Sequence, residues 1–516
     1  MRIGLNSLWD DPIHQQRFLP LLLILLALPL LLVRLDSWPP PWFDEGAFLQ
    51  GAKNIALYGE YATLSEGEFS RFDPILTGAG PAVLIPIAAL FRLFAVGLIQ
   101  GRIVSVLYAL AAIWLCFNLA IQMMSKRAAV LATALMILSP WGDFAQMGRF
   151  AMGEMASLAF VLAGLYLWWR SIDQDSGWRS AGSGVAFSLA LLSKPQNAIA
   201  LAALLLTGLV DMIYYRRLGF RRWGIPLLVA LFSFVGWQGY QVTVLGPSEW
   251  MTRLQTSDTV SRALATMFRP GLILVNLENL VKKSGYLLWT FLAIVYFGFE
   301  ILCKKRDGGK EFFLLVMVSI WLLWFILGSI GWVRYVFVPI SLSSVLLGHL
   351  FGYVTNGFYF DYNQIHHALR QANISFPLVQ LSLALLAVFM IGYGALIDVN
   401  NVLRGGDQYA QQMAEYLDTH LERGVLIETW EWEIAFLTHH NYHHPPFEVL
   451  EAMVRRVNFG MPFSDTLYDF QQFHPGYLID GPFSKWTQLY PEAFLREQCE
   501  LVASVGGYDL YRIDRP

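Results

Sequence analysis

Apolar residues come in long unbroken runs along most of this chain, and polar residues crowd into the short gaps between them. A helix rises about 1.5 Å per residue, so about 20 consecutive apolar residues are needed to cross about 30 Å of hydrocarbon. Runs of that kind recur from Phe18 to Leu396, far more than a water-soluble fold can bury. The pattern predicts helices near 18–33, 103–122, 128–141, 153–169, 181–193, 197–215, 224–245, 286–302, 312–330, 334–354 and 376–397, about eleven crossings in all. The first run ends in Arg34-Leu35-Asp36 without a small-residue cleavage site, so it reads as an uncleaved span rather than a signal peptide. The apolar stretch 77–98 is different. Gly78, Gly80, Pro81 and Pro86 interrupt it and it carries Arg92, which predicts a re-entrant or interfacial segment.

Polar gaps set the orientation, because Lys and Arg beside spans favour the cytoplasmic side. The basic connections are Lys126-Arg127, Arg170 to Arg179, Arg216-Arg217 with Arg221-Arg222, and Lys304-Lys305-Arg306 with Lys310. All of them fall on one side only if 77–98 does not cross; Lys282-Lys283 then lies outside, against the rule. On this parity the loop 36–80, the stretch 246–284 and the tail beyond Asn400 face outward. The stretch 246–284 is mixed in charge and is expected to be a flexible lid. The tail lacks long apolar runs and offers strand-like segments at 424–427, 477–479 and 501–513 with helical stretches between them. The expected architecture is a polytopic α-helical membrane protein: residues 1–399 form the membrane domain, with interfacial helices in 36–80, and 400–516 form a small extracytoplasmic α/β domain.

Composition agrees with this pattern: 56% of residues are hydrophobic and 15% charged, which points to lipid as the main solvent. The net charge of -3, with no basic patch, argues against a nucleic-acid partner. Cys116 and Cys303 fall in apolar segments and Cys499 stands alone, so neither a disulfide framework nor a CxxC metal site is available.

Candidate chemistry lies in the outward loops. Trp38-Pro-Pro-Pro-Trp-Phe-Asp44-Glu45 opens the first, followed by a helical pattern in which Phe48, Ala52 and Ile55 share a face until Gly59 stops it. Asp44 at the start of that helix fits a cap as well as a catalytic carboxylate. The second motif, Ser139-Pro140-Trp141-Gly-Asp143 through Arg149 to Glu154, puts an acidic residue at the mouth of a span, where it needs a cavity or a cation such as Arg149. Lys194, in Ser193-Lys194-Pro195, and Arg334, in Trp332-Val333-Arg334-Tyr335, also fall at outer span ends, where long basic side chains often only reach for the interface. One topology nonetheless gathers these carboxylates and cations at one depth. Cations there suit a lipid-borne phosphate, and a carboxylate beside them suits a base.

In these residues the chain resembles the GT-C glycosyltransferases, specifically the branch holding protein O-mannosyltransferases and the aminoarabinose transferases of lipid A. The likeness spans about residues 18–354 and rests on Asp44-Glu45, Gly101-Arg102 with Ser105, Arg149 before Glu154, Ser193-Lys194, and Arg334-Tyr335 with Pro339. It implies hexosyl or pentosyl transfer, with inversion, from a polyprenyl-phosphate-linked sugar to a glycan, lipid or protein acceptor, at the outer face of the cell inner membrane. By that likeness Asp44 is the base, while Glu45 and Glu154 orient Asp44, the acceptor or a metal ion. Arg149, Lys194, Arg334 and Tyr335 would hold the leaving phosphate. Many relatives have Asp where this chain has Glu154, so no cation is assigned and a divalent metal is left open. His439, His440, His443 and His444 offer i, i+4 pairs for zinc, but Pro445-Pro446 ends any helix nearby and no HExxH pattern is present, so a surface cluster is expected. The rival class is a secondary transporter, against which stand the absence of related broken helices in two halves and the gathering of charges at one face.

Overall fold

A computed structural model describes residues 12–139, 143–216, 218–264, 268–283, 287–304, 309–360, 376–460 and 468–513. Pro140, Trp141, Arg217, Lys305 and Arg306, from the motifs above, lie outside the described residues. The chain begins with α1 (Pro12–Leu32), α2 (Phe43–Tyr58), a hairpin of β1 (Ala62–Ser65) and β2 (Glu68–Arg71), and α3 (Pro81–Phe94). There follow α4 (Leu98–Ala120), α5 (Lys126–Leu138), α6 (Gly153–Asp173), α7 (Gly177–Ser193), α8 (Ala198–Val210) and α9 (Phe220–Leu245). Then come α10 (Pro247–Leu264), α11 (Pro270–Lys283), α12 (Leu287–Lys304), α13 (Gly309–Gly328), α14 (Phe337–Val354) and α15 (Phe376–Arg404).

Among the described residues, seven helical stretches are long and apolar enough to cross a membrane: α4, α6, α8, α9, α13, α14 and α15, several with a flanking turn. Two other predicted spans are helical but shorter, α5 with 13 residues and α7 with 17. α3 has 14 residues, about 21 Å of helix, too short to cross unaided. Gly80 and Pro81 start it where the sequence breaks the apolar run. The described residues of the stretch expected to form a lid include α10 and α11; each begins at a proline, α10 packing on α9 and the tail, α11 on α13. 

Three of the basic connections meet at one end of the bundle. Lys310 pairs with Asp173, and Arg222 Nη1 donates to the Ser171 carbonyl at 2.7 Å, while the Ser180 hydroxyl donates to the Arg221 carbonyl at 3.3 Å. α6 runs from this end to Glu154 at the other, 21 residues or about 31 Å of helix.

Beyond α15, α16 (Tyr409–His420) leads into β3 (Leu426–Thr429), α17 (Trp432–Leu437), β4 (Asn441–His443) and α18 (Phe447–Phe459). β5 (Tyr477–Asp480), α19 (Pro482–Thr487), α20 (Glu492–Gln498), β6 (Cys499–Val505) and β7 (Tyr508–Ile513) complete the chain. The five strands lie in the order β4-β3-β5-β7-β6, with β3 parallel to β4 and β5, and β7 antiparallel to both its neighbours. The single strand expected over 501–513 is two, because Gly506, at φ +60°, turns the chain back.

Candidate functional site

α2 presents the first acidic pair. Trp42 is extended ahead of the helix, Asp44 lies within its first turn, and Gly59, at φ +77°, ends it by donating to the Ile55 carbonyl. Asp44 is therefore not the cap; its carboxylate turns to Arg334. The next residue along a helix points about 100° away, so Glu45 faces inward. It takes two hydrogen bonds from Arg102, at 2.8 and 2.6 Å, and one from the Ala151 amide at 2.9 Å. Arg102 spends a further N–H on the Leu35 carbonyl at 2.9 Å, and neither side chain has any exposed surface. A pair so buried contributes little net stability but is costly to break.

Glu154 finds a different cation from the one expected. It pairs with Lys194, the residue that ends α7, while Arg149 turns away. Arg149 donates to the carbonyls of Leu30, Val33 and Trp38 at 2.6, 2.6 and 2.7 Å and lies over the Trp38 ring, 4.9 Å from its centroid. A cation at the end of α1 complements the carbonyls left open there, which the spacing of Arg149 and Glu154 along the chain does not reveal. The mouth of α6 is tightly held: a Cβ on Gly153 would sit 2.7 Å from the Ser193 carbonyl oxygen and 2.8 Å from that of Gly78. No side chain larger than hydrogen fits, and this close approach delivers Lys194 to Glu154.

Arg334 and Tyr335, in the turn ahead of α14, complete the group. Arg334 gives one N–H to Asp44 and lies over the Trp332 ring at 4.7 Å; its Nε has no acceptor among the described residues. The Tyr335 ring has Lys194 Nζ 5.5 Å and the Arg334 guanidinium 5.7 Å from its centroid. Asp44, Lys194, Arg334 and Tyr335 border one cavity of about 310 Å³, walled also by Trp42, Trp332, Ser257 of α10 and, from the tail, Phe447 and Phe483. The two cations face the two carboxylates, so the group is close to electrically neutral as it stands. Glu45, Arg149 and Glu154 do not border it, and Glu154 reaches it only through Lys194.

The tail contributes through α17, which lies along α2. A Cβ on Gly46 would stand 2.2 Å from the Glu433 backbone nitrogen, and one helical turn and more further on, Lys53 Nζ donates to the Thr438 carbonyl at 3.2 Å. The Phe43 ring stacks on Phe483 with centroids 3.8 Å apart. None of these tail partners was evident beforehand, because a docking face made of one glycine and one aromatic has no periodic signature.

The histidines do not form a surface cluster. His440, His443 and His444 are buried, because residues 441–443 form β4 rather than helix and turn them into the domain. His443 Nδ1 lies 2.5 Å from Glu428, and His444 Nδ1 2.8 Å from the Thr429 carbonyl. As for a metal, Glu45 is bound to Arg102 and Glu154 to Lys194, and among the described residues no three ligating side chains cluster. This donor set does not fit a resident divalent ion, and no chemical step is routed through one.

Residues 79–240 match the family described as dolichyl-phosphate-mannose-protein mannosyltransferase. The structure is similar to that of ArnT from Cupriavidus metallidurans bound to undecaprenyl phosphate, at 16% identity and a TM-score of 0.62, covering 95% of this chain and 97% of that one. It is also similar to the archaeal oligosaccharyltransferase AglB from Archaeoglobus fulgidus, in complex with an inhibitory peptide and a dolichol-phosphate, at 13% identity and a TM-score of 0.58, covering 98% and 74%. The mycobacterial arabinofuranosyltransferase AftD matches at 13% identity and a TM-score of 0.50, covering 97% of this chain but 40% of the larger one. No curated protein matches the chain by sequence. With its apolar helices, its tail sheet and these likenesses, the chain is a multi-pass membrane protein with the GT-C glycosyltransferase fold.

Proposed function

We propose that this protein is an inverting glycosyltransferase that moves a hexosyl or pentosyl group from a polyprenyl-phosphate donor to an acceptor hydroxyl at the outer face of the cell inner membrane. The observation that carries the reading is that Asp44, paired with Arg334, and Lys194, paired with Glu154 behind it, border one cavity, at the opposite end of α6 from the gathered basic connections. Residues 1–399 would be the catalytic membrane domain and 400–516 the extracytoplasmic domain that closes the cavity. The relatives described with undecaprenyl phosphate and dolichol-phosphate support a lipid phosphate as donor.

Charge balance suggests the order of events. A donor phosphate brings negative charge into a neutral group and competes with Asp44 for Arg334, whose Nε already lacks an acceptor. Once Arg334 turns to the phosphate, Asp44 is left without its cation and is free to act as a base. The acceptor O–H gives its proton to Asp44 as its oxygen bonds to the anomeric carbon. The bond from that carbon to the phosphate oxygen breaks, its electron pair stays on the phosphate, and Lys194 and Arg334 stabilise the added charge. Glu154 aims Lys194, and the Tyr335 ring holds both cations by its face.

The test is Asp44→Asn. Transfer from a radiolabelled polyprenyl-phosphate sugar should fall by about 10²–10⁴, the range for losing a general base, while the donor lipid still binds. Full transfer by this variant removes Asp44 as the base.

A further inference from the structure

We propose that the cavity between the β1–β2 hairpin and the tail sheet is a carbohydrate subsite that seats one sugar ring of the acceptor, next to the cavity where transfer occurs. The proposal rests on the glycosyltransferase reading above and adds the acceptor's chemical class. This second cavity, of about 170 Å³, is walled on one side by the hairpin and on the other by Trp430, Trp432 and His444. It shares Ile75, Phe447 and Leu450 with the first cavity. A ring seated here would therefore put its neighbouring sugar residue beside Asp44.

The lining is what a sugar needs. A sugar ring has hydroxyls around its edge and C–H groups on its faces, and indoles take C–H groups against their electron-rich faces. In a strand alternate residues share a face, and Thr63 and Ser70 are cross-strand partners, so Thr63, Ser65 and Ser70 line one side with hydroxyls. The Thr63 hydroxyl donates to Asp73 Oδ2 at 2.8 Å, and the Ser65 hydroxyl accepts from the His444 amide at 3.1 Å, which ties the hairpin to the tail. A cavity with this lining can hold ordered water, which a sugar hydroxyl can replace without losing the hydrogen bonds.

His444 supplies the second, independent observation. Its Nδ1 faces the Thr429 carbonyl at 2.8 Å and therefore carries the proton, leaving Nε2 as a lone-pair acceptor. The residue is 5% exposed, and Nε2 has no partner among the described residues. Burial lowers the imidazole pKa to about 3, so the ring stays neutral and Nε2 remains an acceptor. A buried acceptor without a donor is costly; His444 lines this cavity, and a small turn of its ring would bring Nε2, now shut from solvent, to a sugar hydroxyl seated there. Its ring stacks on Trp432 at 3.7 Å, which fixes its orientation.

The full-length protein, in a detergent without a sugar headgroup, can be probed by saturation-transfer NMR with mannotriose, chitotriose, an arabinofuranose trisaccharide and a Ser/Thr-rich peptide. At least one trisaccharide should receive saturation, and His444→Phe and Ser70→Val should each weaken its binding about fivefold, the loss of one neutral hydrogen bond. Binding of undecaprenyl phosphate should not change. No transfer to any trisaccharide, a signal that neither variant alters, or binding of the peptide in their place would overturn the proposal. If His444→Phe does not fold, Ser70→Val on the hairpin decides. Asp44→Asn should keep the trisaccharide signal, so failure of Asp44 as base and failure of this subsite are read separately.

Discussion

Glu45 sits next to the proposed base in sequence, yet it is buried against Arg102 away from the cavity, and Glu45→Gln measures what that pairing contributes. The variant leaves Arg102 charged in a site where neither partner has exposed surface. Breaking such a pair costs about 3–5 kcal/mol. Adding Arg102→Met removes the stranded charge, and the residual defect is the Leu35 carbonyl that loses its 2.9 Å donor, about 1–3 kcal/mol. The double variant should thus be more stable than Glu45→Gln alone by about 2 kcal/mol. Two assays are needed: the apparent melting temperature of the detergent-purified protein, and transfer measured where every variant is folded. The structural reading expects melting temperature to fall in Glu45→Gln, to recover in the double variant, and transfer to recover with it. A double variant that is stable but inactive would refute this reasoning and return Glu45 to the chemistry.

Three further outcomes follow from the same geometry. Lys194→Ala and Arg334→Ala should each weaken binding of a labelled polyprenyl phosphate by about tenfold or more, the loss of a charge-assisted hydrogen bond; a defect confined to the acceptor would contradict their assignment. Burial, with Glu431 beside it, holds the Glu433 carboxyl well above its ordinary range in the tail. The folded state then binds this proton more tightly than the unfolded chain, so the contribution is full below about pH 4.5, the unfolded value, and is lost as pH rises toward the folded one. Melting of Glu433→Gln, compared with the parent across that window, should lack this decline; identical slopes would discount the group. Lastly, a Cβ on Gly219 meets no atom within 4 Å, so Gly219→Cys should be tolerated and should react with an impermeant maleimide only from the cytoplasm. Labelling from outside would reverse the topology.

Much of this was readable because crossing a bilayer demands a long apolar run, and such runs need no tertiary information to be recognised. Asp44, Lys194 and Arg334 stood out as charges at the ends of those runs, and the structure brings them to one cavity. What the chain did not disclose is choice among partners. Arg149 has Glu154 five residues away but satisfies carbonyls at and just beyond the end of α1, and Glu154 takes a lysine forty residues on. His439 to His444 keep the spacing of helical ligands, yet β4 pairs with β3 and spoils it. Gly506 divides the last strand, a turn that alternation alone passes over.

The contact at Gly46 bears on which parts of the chain must be exchanged together. The helix that carries Asp44 is touched along its length by α17, backbone against helix at one point and Lys53 against Thr438 at another. A tail exchanged between relatives would meet this helix without its matching groove, and a misfit of one methyl group would be passed straight to Asp44. The unit to transplant is therefore the tail together with residues 43–58. A chimera joined only after α15 sets a new tail against an α2 that was never shaped for it.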